Sequence, residues 1–149
     1  MRSLKIFTDG GARGNPGPAA CAYVVFENGK LLHRAAKYLG KQSNNFAEYS
    51  ALIMSLEWLV NNLNAEEVFV TFLLDSELVV KQMVGKFKIK SKNILPLNIK
   101  AKSLIEKFIG SINFESIRRE NNKDADALLN LVLDENSQRF HVNTDLTDV

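Results

Sequence analysis

The spacing of apolar residues changes near Ser43, and that change limits what this chain can fold into. Before it, residues 4–9 alternate apolar and polar side chains. Residues 19–26 are a run of small and β-branched residues, and 31–39 return after the pair Asn28-Gly29. A period of two belongs to strands, and Asn-Gly between two such runs is a hairpin turn. Beyond Ser43, Phe46, Tyr49, Leu52, Ile53, Leu56, Leu59 and Val60 recur at helical spacing, with Ser43 or Asn44 placed to cap the helix start. Strand and helix then alternate. The pattern predicts a strand over 67–74, a short helix over 76–83 and a longer helix over 93–108 with Pro96 near its start and Gly110 past its end. A last strand over 112–117 and a last helix over 124–133 follow. Tight connections make the first three strands antiparallel, and helical crossovers make the later two parallel to the first. The expected fold is α/β: a five-stranded mixed sheet flanked by helices.

A chain of 149 residues, 46% hydrophobic and 24% charged, suits one core and not two. Residues 1–133 are expected to form the domain, and 134–149 an acidic tail or an extension of the last helix. No apolar run is long enough to span a bilayer, and no leader precedes the first strand-like run. The one cysteine, Cys21, excludes an internal disulfide and a cysteine-based zinc site, which points to a reducing, cytoplasmic setting. The net charge of +2 is unevenly spread. The tail sets Asp134, Glu135, Asp145 and Asp148 against Arg139, net −3, which leaves +5 on residues 1–133. Lys81, Lys86, Lys88, Lys90, Lys92, Lys100, Lys102 and Lys107 share their stretch with one acid, Glu106. Such a cluster is either a solvated face or a surface that follows phosphates, and position alone leaves both open.

Asp9 and Asp75 each end an apolar run, a costly place for a lone charge. If their strands are neighbours and parallel, both carboxylates reach the sheet edge where open α/β sheets place ligands. Glu48 falls early in the long helix and Asp126 near the start of the last one, so the same layout can aim all four at one spot. Four acids held together repel, and they call for divalent cations. All-oxygen donors favour magnesium or manganese over zinc. Two such ions roughly 3.5–4 Å apart suit in-line displacement at a phosphodiester. The glycine-rich stretch 10–18 reads as a loop whose backbone can approach a ligand closely. It is not a dinucleotide-binding loop, because a strand-like run and not a helix follows the glycines.

Together these residues resemble type 1 ribonuclease H of the bacterial and archaeal kind. The matching stretches are Thr8-Asp-Gly-Gly-Ala-Arg-Gly-Asn-Pro-Gly-Pro18, Asn44-Asn-Phe-Ala-Glu-Tyr49, Asp75-Ser-Glu-Leu-Val-Val80, Gly85-Lys-Phe-Lys-Ile-Lys90 and Asn122-Lys-Asp-Ala-Asp126, in the family's order over residues 4–133. The resemblance implies the ribonuclease H fold and endonucleolytic cleavage of the RNA strand of RNA/DNA hybrids, leaving 5′-phosphate and 3′-hydroxyl ends. It implies two Mg2+ ions, with Mn2+ as a substitute, held by the catalytic acids Asp9, Glu48, Asp75 and Asp126. Asp9 bridges both ions, Asp75 and Asp126 help hold one, and Glu48 holds the other near the 2′-hydroxyl. Gly10, Gly11, Asn15 and Asn45 match positions that contact RNA, with Asn44 beside them. Ser43 and Asn45 match a grip on a DNA-strand phosphate. In that setting Lys86, Lys88, Lys90 and Lys92 become backbone contacts. Trp58 and Tyr49 read as packing.

Three departures from the family stand out. Many relatives carry a histidine in the loop before the last acid, where this chain has Arg118-Arg-Glu-Asn-Asn122 and leaves Glu120 as the candidate for product release. Asp124 lies two residues from Asp126, and the Asn-x-x-x-Asp spacing favours Asp126. Leu74 is bulkier than the family's usual residue. No separate hybrid-binding domain and no obligate protein partner are expected, so a monomer is. A binding module that keeps the fold without the chemistry has no reason to gather four acids. A resolvase or exonuclease on this fold is disfavoured by the Gly-Asn-Pro-Gly loop and the Asn44-Asn45 pair.

Overall fold

The computed structural model describes residues 1–136 in full, together with the backbone of Ser137 and of residues 146–148. Strands β1 (Arg2–Ala12), β2 (Gly17–Glu27) and β3 (Lys30–Gln42) precede helix α1 (Asn44–Asn62). Then come β4 (Val68–Leu74), α2 (Glu77–Met83), α3 (Leu95–Lys107), β5 (Ser111–Ser116), a 3-10 turn (Arg119–Asn121), α4 (Lys123–Ser137) and β6 (Leu146–Asp148). The sheet order is β5-β4-β1-β2-β3-β6. β1, β2 and β3 pair antiparallel, and β4 and β5 run parallel to β1. The expected five-stranded sheet is therefore present.

Two details differ from the expectation. The stretch 10–18 is mostly strand. β1 continues through Gly10 and Gly11 to Ala12, paired with Ala19 across the hairpin, and β2 begins at Gly17. Cross-strand hydrogen bonds override the loop tendency of the glycines, and only Gly14 takes a positive φ, 92°. Secondly, β6 adds a short edge strand, antiparallel to β3 through Arg34↔Asp148 and Ala36↔Leu146. α4 runs on past Leu133 to Ser137, in line with the helix extension that was one of the two courses expected for the tail. The rest of the expected tail, residues 138–145 and 149, lies outside the described residues.

The two sheet faces are covered unequally. α1 lies on one face, where its fully buried Leu52, Leu56 and Leu59 meet Leu4 and Ile6 of β1, Val25 of β2 and Phe72 of β4. Burial of each such leucine contributes about 1.5–3 kcal/mol. Leu74 belongs to this core and is 2% exposed, which accounts for a bulky side chain next to Asp75. α4 covers part of the other face, placing Leu128, Leu129, Val132 and Leu133 on the small residues Ala20, Ala22 and Ala36. The expected helix and turn signals hold. The Ser43 hydroxyl accepts from Phe46 N, and the Asn28-Gly29 turn has φ of 53° and 76°, the positive pair a tight hairpin needs. A buried polar chain ties the helices of the first face together. Tyr49 Oη donates to Gln82 Oε1 at 2.7 Å and accepts from Asn98 Nδ2 at 3.2 Å. Among the described residues no helix is long and apolar enough to cross a membrane.

Candidate active site

β1 and β4 pair in register up to Thr8↔Leu74, so Asp9 and Asp75 are the next residues on two adjacent parallel strands. β4 ends there, whereas β1 stays in the sheet through its pairing with β2. Asp9 is only 8% exposed, and Asp75 is half-buried.

Glu48 reaches this edge because of Gly10. A Cβ at Gly10 would run into the backbone of Ala47 and the amide of Glu48. A glycine there lets the start of α1 lie directly on β1, one residue from Asp9. Ser76 then serves two elements. Its hydroxyl oxygen caps α2 by accepting from Val79 N at 3.2 Å, and its proton goes to the Glu48 carboxylate.

Asp126 comes from the first turn of α4 and is half-buried, whereas Asp124 is exposed. Of the two, Asp126 is the one whose charge acts on Asp9. The loop before α4 is anchored by Asn122, which is 1% exposed. Its Nδ2 donates to Thr8 O at 2.9 Å and to Asp75 Oδ2 at 3.3 Å, while its own carbonyl accepts from Asp126 N at 3.1 Å. Farther along α4, Asn130 Nδ2 donates to Asp126 Oδ1 at 3.2 Å. Three of the four acids therefore each accept from a neutral donor, Ser76, Asn122 or Asn130.

The electrostatics are those of a site short of positive charge. Burial, and after it the charges of Asp75, Asp126 and Glu48, push the Asp9 carboxyl up from 3.8 to about 8. Burial also pushes Glu48 up from 4.5 to about 7, against the Ser76 hydrogen bond, with Asp75 adding to the rise. Among the described residues, Arg119 is the cation that pulls both down. An all-carboxylate donor set with this unmet negative charge fits hard divalent cations. Among the described residues, no three His, Cys, Asp or Glu side chains converge closely enough to enclose one ion. A magnesium-like ion does not need that. It keeps several waters and takes one or two carboxylates plus substrate phosphate oxygens.

The remaining expected residues fall into two groups. Asn15 and Asn44 join the β1–β2 connection to α1: Asn44 Oδ1 accepts from Ala12 N at 2.8 Å, and Asn44 N donates to Asn15 Oδ1 at 3.1 Å. Gly10 and Gly11 lie in β1 beside Asp9, and Ser43 and Asn45 lie at the start of α1, close in sequence to Glu48. Lys86, Lys88, Lys90 and Lys92 are set apart, exposed on the segment between α2 and α3, with α2 between them and Asp75. Phe87 in that segment is 46% exposed, and the Lys81 amine lies 5.0 Å from its ring centre. Glu120 is exposed and faces Arg118 at 3.9 Å. The sequence reading passed over Ser76, Arg119, Asn122 as a donor, and Asn130. Ser76 was detectable as a cap, and Asn130 by its spacing of four from Asp126.

Residues 7–132 match the family described as "Reverse transcriptase-like". The chain is 39% identical over 142 residues to the bifunctional protein Rv2228c of Mycobacterium tuberculosis, covering 94% of this chain and 38% of that protein. It thus spans well under half the length of that relative. The solved N-terminal RNase H domain of rv2228c is 38% identical, with a TM-score of 0.84 over 93% of this chain and 98% of that one. LC11-RNase H1, isolated from compost and solved in complex with an RNA/DNA hybrid, is also 38% identical, with a TM-score of 0.84 over 89% of this chain and 97% of that one.

Proposed function

The chain belongs to the type 1 ribonuclease H family, and from that membership we propose that it cuts the RNA strand of RNA/DNA hybrids endonucleolytically. The observation that carries the reading is the buried Asp9 with three further carboxylates, Glu48, Asp75 and Asp126, near enough for their charges to act on it. Members of the family use divalent metal ions. Here Asp9, Glu48, Asp75 and Asp126 are the residues to hold them, and we assign residues 1–133 as the catalytic unit. Two such ions, when bound, supply the positive charge that favours a water nucleophile and a departing 3′-oxygen, giving 5′-phosphate and 3′-hydroxyl products.

The chain's own residues do the rest. Ser76 and Asn122 each hold a carboxylate in one orientation, so the ligands need little rearrangement when the site fills. Asn15, Asn45 and the backbone of Gly10 and Gly11 present donors and acceptors to the RNA strand, whose 2′-hydroxyls distinguish it from DNA. Ser43 and Asn45 take a DNA-strand phosphate. Lys86, Lys88, Lys90 and Lys92 follow the sugar–phosphate backbone without reading sequence. Glu120, on the exposed turn before α4, is assigned to product release.

The test is a comparison of substrates. Labelled RNA/DNA hybrid, duplex RNA and duplex DNA of one sequence are incubated with the protein in magnesium. Cleavage confined to the RNA strand of the hybrid is expected. Equal cutting of duplex DNA, or no cutting of the hybrid, would overturn the reading.

A further inference from the structure

Asp126, Asn130 and Asp134 recur at intervals of four along α4 and so lie on one face of the helix. The amide of Asn130 is held at both ends. Its Nδ2 donates to Asp126 O at 2.9 Å and to Asp126 Oδ1 at 3.2 Å. Its Oδ1 accepts from Arg13 Nη2 at 3.3 Å, and the same guanidinium nitrogen pairs with Asp134 Oδ1 at 2.6 Å. The order cation, amide oxygen, amide nitrogen, carboxylate has one workable orientation. Flipping the amide would set NH2 against the guanidinium and oxygen against the carboxylate. Arg13 therefore fixes which way Asn130 points, and Asn130 fixes one oxygen of Asp126.

Arg13 sits on the connection between β1 and β2, the segment that also carries Asn15. Its backbone amide donates to Pro18 O at 2.8 Å, so the arm starts from an ordered turn. We propose that Asn130, oriented by Arg13, is a positioning residue that holds Asp126 in the rotamer that receives a divalent ion, and that it joins the substrate-facing β1–β2 connection to the metal site. This rests on the function proposed above. Asn130 is half-buried beside the site and contacts no reacting atom in this reading, so its effect is on ion affinity and not on the chemical step.

The variants are Asn130→Ala, Asn130→Asp, Asn130→Gln and Arg13→Met. A residue that merely fills a helix face predicts a neutral or favourable Asn130→Ala, because alanine is the better helix former. It also predicts a benign Asn130→Asp, which keeps an acceptor for Arg13. Positioning predicts the opposite ranking. Two readouts are taken: calorimetric binding of Mn2+ to the protein without nucleic acid, and the magnesium concentration giving half-maximal hybrid cleavage. Loss of an outer hydrogen bond to a metal-holding carboxylate typically weakens the ion about 10–100-fold. Asn130→Ala should weaken Mn2+ about 10-fold and raise the half-saturating magnesium to match, with KM for the hybrid unchanged. Asn130→Asp should be worse, because two carboxylates then face each other. Asn130→Gln should recover part of the affinity, and Arg13→Met should lose less than Asn130→Ala.

Wild-type Mn2+ affinity in both Asn130→Ala and Asn130→Asp would overturn the inference while leaving the nuclease reading intact. So would a wild-type protein that binds no Mn2+. Failure of the wild type to cut hybrid, with Mn2+ binding ranked as above, would overturn the nuclease reading and leave the positioning role standing.

Discussion

In Asp9→Asn a carboxyl that burial and its neighbours keep from ionising is replaced by an amide of the same shape. The unfolded carboxyl ionises near 3.8 and the folded one only at about 8. As pH rises between these values the unfolded state loses its proton first, so the folded state without metal loses stability across that window and no further above it. At about 1.4 kcal/mol per pH unit, the span from 3.8 to neutrality costs the folded wild type about 4 kcal/mol. Asp75, Asp126 and Glu48 share the repulsion, so that figure is a ceiling. Half of it, about 2 kcal/mol, corresponds to a rise in Tm of roughly 4–8 °C for a domain of this size. The assay is thermal unfolding of both proteins in a chelating buffer from pH 4 to pH 8.5. Asp9→Asn should melt higher than wild type at pH 8, with the gap closing towards pH 4, and it should cut no hybrid. Adding magnesium should raise the wild-type Tm more than that of the variant. An equal or lower Tm for Asp9→Asn at pH 8, or a gap independent of pH, would refute the reasoning.

Other perturbations test the remaining contacts. Gly10→Ala drives a Cβ into the backbone of Ala47 and Glu48. It should cost about 1–3 kcal/mol in denaturant melts and reduce hybrid cleavage, and wild-type values for both would show that α1 can give way freely. The double variant Lys86→Ala with Lys88→Ala should flatten the dependence of log K for the hybrid on log salt by about 2, whereas an unchanged slope would make these lysines a solvated face. His33 is buried against Trp58, with ring centres 4.7 Å apart and its Nε2 3.0 Å from Tyr23 Oη. Burial lowers its pKa from 6.5, so its contribution to stability is full above 6.5 and is lost as pH falls below that value. An NMR titration of the His33 ring should place its midpoint below 6.5, and a midpoint at or above 6.5 would contradict the burial argument.

What the sequence revealed depended on whether the signal was local. The periodicity of α1, the Asn28-Gly29 turn and the apolar runs that end at Asp9 and Asp75 are local signals, and each is found in the structure where expected. The course of residues 10–12 is not legible locally, because glycine raises only the tendency to turn, whereas pairing with residues 19–21 on β2 decides the outcome. The edge strand β6 rests on pairing between residues more than a hundred positions apart, and it is too short and too close to a polar run to show a period of its own. Asn122 illustrates a further limit. Its spacing from Asp126 was visible, but its donation to Thr8 O and Asp75 exists only once three elements are assembled. The loop before α4 offers two guanidinium groups, on Arg118 and Arg119, and the Glu120 carboxylate. The charge of the exposed Arg119 lowers the pKa of both Asp9 and Glu48, and a linear sequence does not say which of several adjacent charged residues acts on a site built from other elements.

On the function proposed above, these four carboxylates bind divalent ions that serve hydrolysis of the RNA strand. The most direct test of this is a magnesium titration of hybrid cleavage with the product ends identified. No cutting is expected in chelator, with activity appearing as magnesium is added and every RNA product bearing a 3′-hydroxyl that a polymerase can extend. Cutting that persists in chelator, or products ending in a 2′,3′-cyclic phosphate, would contradict it.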